Sequence, residues 1–416
     1  MFCDPHLHRR GFLAAAGVAG LTRLGTLLAR AAESRHQPAR LVIVLWMAGG
    51  PSQLETFDPK PGTTIAAGST ARPTAVKGIQ IGQGFEQLAD LMADVALIRS
   101  LTSLEGDHER GTYTVKTGYR PEPTIVHPSL GAVVCHALPE GAVEIPRHVS
   151  ILPGQWPARG GFLGAEYDAF QVFDPAEKVL DVTARVSPER FGSRVKDLEV
   201  VDAAFARGRE SRLAASGHRD TAERARRMMS SEQLKAFDVS QEPASLRREY
   251  GDSPFGRGCL AARRLIEAGV RCVEVTLDGW DTHANNHELV AKRVAVLDPA
   301  FAALLRDLKR RGMLSHTLVL CLGEFGRTPA LNALGGRDHW PHNFTVALAG
   351  GAIRGGTVVG ESDPEGGKTP KDPVTVPELF ATVYRALGID GNKALRGPGN
   401  RPVKRTTGRP VEALLR

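Results

Sequence analysis

Four stretches of the chain are short, rich in Val, Ile and Leu, and lack polar alternation: Leu41–Trp46, Val95–Arg99, Cys272–Leu277 and Thr317–Leu322. This pattern predicts strands buried on both faces. A fifth, Phe344–Ala349, has the same character. Helical periodicity precedes two of them. Leu260–Ala268 stops at Gly269, and Val294–Arg311 stops at Gly312. Helix, short turn, buried strand and polar loop then recur, which is the grammar of βαβ units and a mostly parallel sheet. Residues 175–250 are charged, alanine-rich and helical in period, and read as a helical insertion capping the sheet. Residues 361–373 read as a loop, and the segment after it as a closing helix with Pro377 in its first turn. The expected architecture is one α/β domain over residues 38–416. It has a mostly parallel central sheet, helices on both faces and the insertion at 175–250.

Polar clusters sit at the ends of these strands. Ser52, Glu55, Asp58 and Lys60 follow the first, after the glycine pair Gly49-Gly50, which lets the backbone turn closely. Asp107, His108, Glu109 and Lys116 follow the second. Asp278, Asp281, His283 and His287 follow the third, and Glu324 and Arg327 the fourth. Asp338, His339 and His342 precede the fifth. Parallel strands deliver such loops to one edge, where α/β sheets bind ligands. Imidazoles and carboxylates together suit divalent metals: zinc, manganese or iron for mixed sets, magnesium or calcium for carboxylates alone. Two metals about 4 Å apart would polarise an ester and activate a nucleophile. The plainer reading is a network of ion pairs that stabilises the loops. For Asp58, followed by Pro59, turn-making and metal binding stand level. Arg327 reads either as a clamp for an anionic group or as a partner orienting Glu324.

The N-terminus changes the expected compartment. Arg9 and Arg10 precede an alanine-rich apolar stretch, and Ala29-Arg30-Ala31 offers a small-x-small cleavage site. Residues 1–31 thus read as a twin-arginine export signal, whose partner is the twin-arginine export machinery and whose destination is the periplasm or extracellular space. The apolar run is short and broken by Arg23, so no stable membrane span is expected. The net charge is +7 over 416 residues. Four arginines and one aspartate in the signal account for three of these charges, leaving about +4, too modest and too dispersed to argue for nucleic acid. Cys135, Cys259, Cys272 and Cys321 lie far apart with no CxxC pair, as expected of buried free thiols rather than a thiolate metal site.

The motifs "GGPSQLETFDPKP" (49–61), "GWDTHANNHE" (279–288), "GEFGRTP" (323–329), "GRDHWP" (336–341) and "ALAGGAIRGGTVVG" (347–360) carry a family resemblance over nearly the whole mature chain. Together with the twin-arginine signal, they resemble the exported bacterial family called domain of unknown function 1501, which is grouped with the alkaline phosphatase and sulfatase superfamily. That resemblance implies an alkaline phosphatase-like architecture. "TLVLCLGEFG" is similar to the superfamily strand that delivers an Asp-His metal pair, so Glu324 takes the Asp place while Phe325 replaces the His. "LDGWDTH" resembles a D-x-x-x-H metal segment with one residue added, which points to Asp278 and His283, with Asp281 as the alternate. The late metal histidine corresponds to His339, with Asp338 and His342 beside it. The first-strand aspartate has no counterpart near Ala48–Gly49, so Glu55 or Asp58 would substitute. Counting nine residues back from Thr117-Gly118 puts His108 in the nucleophile place, where these enzymes carry Ser, Thr or a modified Cys.

What the resemblance implies is an exported, metal-dependent hydrolase of sulfate or phosphate esters. His108 and Arg327 would be catalytic, a divalent metal (zinc, manganese, calcium or magnesium) the cofactor, and an anionic ester, small or polysaccharide, the substrate. The departures at Phe325 and His108 keep open a non-catalytic extracytoplasmic binding or assembly protein with a structural metal site.

Overall fold

The computed structural model describes residues 39–416 except 140, 178, 181 and 208–217. Residues 1–31, read above as an export signal, lie outside the described residues. Nine strands form the central sheet: β1 (Leu41–Met47), β2 (Val95–Thr102), β3 (His148–Ile151), β4 (Phe170–Val172), β5 (Cys272–Leu277), β6 (Thr317–Leu322), β7 (Phe344–Gly350), β8 (Val358–Val359) and β9 (Val374–Thr375). Their order across the sheet is β8-β2-β7-β6-β1-β5-β3-β4, with β9 also on β2. All pairings are parallel except those of β7, which runs against both β2 and β6.

The alternation along β1 explains the layers. Ile43, Leu45 and Met47 face one way and pack with α5 (Pro254–Glu267) and α6 (Asn286–Arg310). Val42, Val44 and Trp46 face the other way and pack with α1 (His108–Thr117), α2 (Leu130–Ala137) and α7 (Val376–Ala386). A strand apolar on both sides thus carries helices on both faces. The α7 helix starts at a capping box between Thr375 and Glu378, with Pro377 in its first turn. Cys135, Cys259, Cys272 and Cys321 are free and buried.

Within residues 175–250 the chain forms α3 (Pro188–Ala206), α4 (His218–Ser230) and shorter turns. The described side chains of α3 and α4 are mostly exposed, and Met228, Phe237, Val239 and Leu246 anchor the segment on the α5–α6 layer. Arg263, 1% exposed, fixes the same junction through ion pairs with Glu242 at 2.7 Å and Asp307 at 2.9 Å.

The direction of β7 positions the site. The loops after β1, β2, β5 and β6 leave the carboxyl edge of the sheet. Because β7 is antiparallel, residues 338–342, which precede it, arrive at that same edge. Gly49 and Gly50, with φ of 114° and 77°, turn the chain out of β1. A Cβ on Gly49 would lie 2.4 Å from the Asp281 nitrogen, and one on Gly50 2.5 Å from the Phe325 ring. The glycine pair is therefore required by close approach as much as by backbone angle.

Candidate metal centre

Each donor side chain arrives on its own loop. His108 opens α1, whose N-cap is Asp107, its carboxylate accepting from the Arg110 amide at 3.1 Å. Asp281 and His283 follow β5, held by Trp280, which is fully buried and whose amide donates to Ala48 O at 3.2 Å. Glu324 follows β6. The chain then forms a short antiparallel ladder in which Arg327 stands opposite His339.

Three imidazoles in this region share one orientation. His108 Nδ1 lies 2.8 Å from Glu324 Oε1, His283 Nδ1 2.8 Å from Asp338 Oδ1, and His339 Nδ1 2.8 Å from Gly106 O. Carboxylates and carbonyls only accept, so each Nδ1 carries the hydrogen, and the tautomers follow from these partners. All three Nε2 atoms then turn their lone pairs towards Asp281. His283 Nε2 is 3.1 Å and His339 Nε2 3.4 Å from Asp281 Oδ1, and His108 Nε2 is 3.4 Å from Oδ2. The Nε2 atoms of His283 and His339 are only 3.0 Å apart. Donor atoms of His108, Asp281 and His339 all lie within 4.8 Å of one another.

Glu324, 2% exposed, anchors the deep end and accepts from the Gly49 amide at 2.8 Å. Phe325 lies beneath His108 and His339, with ring centroids 5.0 and 4.5 Å away. The mouth is wet: the side chains of His283 and Asp338 are 46% and 54% exposed. Asn332 donates to both Asp338 Oδ1 and His283 O.

Other predicted site residues go elsewhere. Asp278 is exposed and its carboxylate accepts from the next amide, that of Gly279. Glu55 accepts from Arg337 at 2.8 Å and lies 3.3 Å from His287. Asp58 is fully buried among Ser362, Lys60 and Arg99. His342 packs edge-on against Trp340. Arg327 is fully buried and donates to the carbonyls of Gly49, Gly50 and Arg337. Its carboxylate partner is Asp281 at 2.5 Å, not Glu324. With four donations inside the protein, it braces the site rather than presenting a fork to an anion. Reading the sequence missed Gln53, whose side chain pairs with both the amide and the carbonyl of Arg327, as well as Asn332 and the Gly106 carbonyl. Nothing in their local pattern marks them: Gln53 and Gly106 act across more than 200 residues, and Asn332 reaches both Asp338, six residues on, and His283, 49 residues back.

A family model described as a protein of unknown function, DUF1501, matches residues 39–415. The chain belongs to the DUF1501 family. No curated protein matches it. Among solved structures, this DUF1501 chain is similar to the PsFucS1 sulfatase from Pseudoalteromonas sp., at 13% identity and a TM-score of 0.39, over 88% of this chain and 70% of that one. It is similar to alkaline phosphatase from the Antarctic bacterium TAB5, at 14% identity and 0.38, over 85% and 99%. It is also similar to the C-terminal periplasmic domain of EcEptC from Escherichia coli, in complex with Zn, at 12% identity and 0.39, over 92% and 93%. Likenesses this distant leave function to be read from the DUF1501 chain's own side chains.

Those side chains fit a divalent cation. Glu324 Oε2 and His108 Nε2 are buried without a hydrogen-bond partner among the described residues. Two imidazole lone pairs facing each other at 3.0 Å repel unless a proton or a cation lies near them. The hydrogen bond that His108 donates to Glu324 raises its pKa above the ordinary imidazole value against burial, with the Glu324 and Asp281 charges adding to it. Burial lowers that of His339, opposed by its bond to Gly106. Burial also pushes Asp281 up, but the hydrogen bond and charge of Arg327, with His108 and His283, hold it below the usual carboxylate range. The carboxylate–histidine pair Glu324–His108 has the form of a ligand oriented from behind.

The loop carrying Gly106 has its own lock. Glu105 accepts from Arg110 at 2.7 Å and from Arg120 at 2.6 Å. The Arg110 hydrogen bond is the largest influence lowering its pKa, against burial. A depressed carboxylate contributes stability above its unfolded pKa of about 4.3, and that stability is lost as pH falls through the lower folded value. Glu105→Gln will therefore lower the thermal midpoint near neutral pH. Its gap to the wild type will close as acidity increases below about pH 4.3, as read by calorimetry across that range. A gap that stays constant with pH would assign the effect to packing instead.

Proposed function

We propose that this chain is a metal-dependent hydrolase of sulfate or phosphate esters that works outside the cytoplasm. The observation that carries the reading is the convergence of three imidazole Nε2 atoms on the Asp281 carboxylate at an open rim of the sheet. His108, His339 and Asp281 are the residues that would hold the cation, with Glu324 orienting His108. Mixed nitrogen and oxygen donors favour zinc, manganese or iron over calcium or magnesium. A cation bound there would polarise the ester oxygen and lower the pKa of an attacking water.

The remaining groups have separate tasks. Arg327 fixes Asp281 from the buried side, and Phe325 keeps water from beneath the two imidazoles. His283 stands at the mouth with Nδ1–H donated to Asp338, and its Nε2 turns inward, 3.1 Å from Asp281 and 3.0 Å from His339 Nε2, where it would accept a proton from an attacking water. Asn332 keeps Asp338 in place for this. This arrangement needs no side-chain nucleophile, which accords with His108 standing where the resembled enzymes carry Ser, Thr or a modified Cys. Export rests on the Arg9-Arg10 signal motif.

The test is a panel of aryl sulfates and aryl phosphates assayed with zinc, manganese or iron(II) added to metal-stripped protein. His283→Ala is expected to lower kcat by about 10²–10⁴-fold while metal content stays intact, whereas His108→Ala lowers both. Absence of turnover with every metal, in protein that nonetheless retains its cation, would replace this reading with the non-catalytic one.

A further inference from the structure

Beside the metal centre lies a cleft of about 1370 Å³ that none of the roles above uses. The two share a wall. Arg110 lines the cleft two residues after His108 on α1, and His342 lines it three residues after His339. Between them the Ser103 amide donates to Pro341 O at 2.8 Å, joining the β2 loop to the segment before β7. Small-molecule sites typically enclose about 300–1000 Å³, so the cleft has room for several units of a polymer.

Its charge is one-sided. Lys368, Arg401, Lys404 and Arg409 line it with exposed side chains and no ion-pair partner among the described residues. Two acids, Glu122 and Glu378, also line it, so these four cations outnumber them two to one. Arg110 and Arg120 add donors at the end nearest the metal centre, held by Glu105. A groove with unpaired cations concentrates anions and loses that effect as salt rises.

We propose that this cleft binds a polysaccharide carrying repeated sulfate or phosphate esters and feeds one ester to the metal centre. The inference deepens the hydrolase reading and rests on it for the fate of the ester, although binding itself does not require turnover. Single-stranded nucleic acid fits less well, because such grooves offer open aromatic faces to bases. Here Tyr119 is stacked on His127 with centroids 4.0 Å apart, and its hydroxyl donates to Lys404 O.

The test measures binding of fluorescent dextran sulfate, unsulfated dextran and a single-stranded oligonucleotide to full-length protein. The variants are the wild type and the combined Lys368→Ser, Arg401→Ser, Lys404→Ser, Arg409→Ser chain. Circular dichroism checks that these exposed substitutions leave the fold intact. The wild type is expected to prefer dextran sulfate. The variant should lose at least about tenfold in affinity at low salt, with a shallower salt dependence. Undiminished binding by the variant ends the proposal, as does equal affinity for unsulfated dextran or tighter binding of the oligonucleotide. Because binding is read without catalysis, loss of dextran sulfate binding supports the cleft even in a protein that cleaves no ester. Ester cleavage with undiminished binding by the variant leaves the metal centre standing and removes the cleft.

Discussion

Asp281→Ala will leave the purified protein unable to hold a divalent cation through dialysis. Asp281 is the hub of the centre, with oxygens at 3.1 Å from His283, 3.4 Å from His339 and 3.4 Å from His108. Its loss has two effects of the same sign. A negative donor disappears, and the buried Arg327 guanidinium, now without its carboxylate, faces the site as an uncompensated positive charge. Losing a group behind a ligand already costs about 10–100-fold in affinity, so removal of this donor should exceed about 100-fold. Elemental analysis and titration with zinc or manganese would measure it. Asp278→Ala is the matched control, since Asp278 is exposed, lies in the same loop, and its carboxylate bonds only to its neighbour's amide among the described residues. Equal metal content in both variants would remove Asp281 from the centre.

Arg327→Met will cost at least about 3 kcal/mol of unfolding free energy. The guanidinium donates to three buried carbonyls, those of Gly49, Gly50 and Arg337, and each left unsatisfied costs about 1–3 kcal/mol. Arg327→Lys should recover little, because one ammonium cannot reproduce the planar fork that reaches the turn after β1 and the Arg337 carbonyl together. Urea denaturation of the metal-free protein separates this effect from metal binding. A loss under about 1 kcal/mol would mean that water reaches those carbonyls.

Some of this was legible along the chain. The strands β1, β2, β5, β6 and β7 were readable because each is buried on both faces and mostly apolar. The strand β3 reads "HVSI" and β4 only "FQV". Strands so short and partly polar are made by their neighbours, so local pattern carries no signal for them. The sequence motif points to Asp278, with Asp281 only as the alternate, and the structure reverses that order. Gly279, with φ of 94°, turns the chain between them, and only Asp281 faces the imidazoles. Glu55 and Asp58 looked like donors because acids after a buried strand do. Their partners Arg337 and Ser362 lie 282 and 304 residues away, beyond any local pattern. The convergence of His108, His283 and His339 needed the reversed direction of β7, which no run of apolar residues announces.

The bond from His108 to Glu324 spans 216 residues of chain, and that from His339 to Gly106 spans 233. An ion gripped by His108, Asp281 and His339 would likewise act as a cross-link, closing loops of 173 and 58 residues between its ligands. Entropy lost on closing such loops grows only logarithmically with their length but is already large at this size. Chelation should then do more than silence the centre: it should loosen the assembled sheet, much as reduction loosens a protein tied by a disulfide.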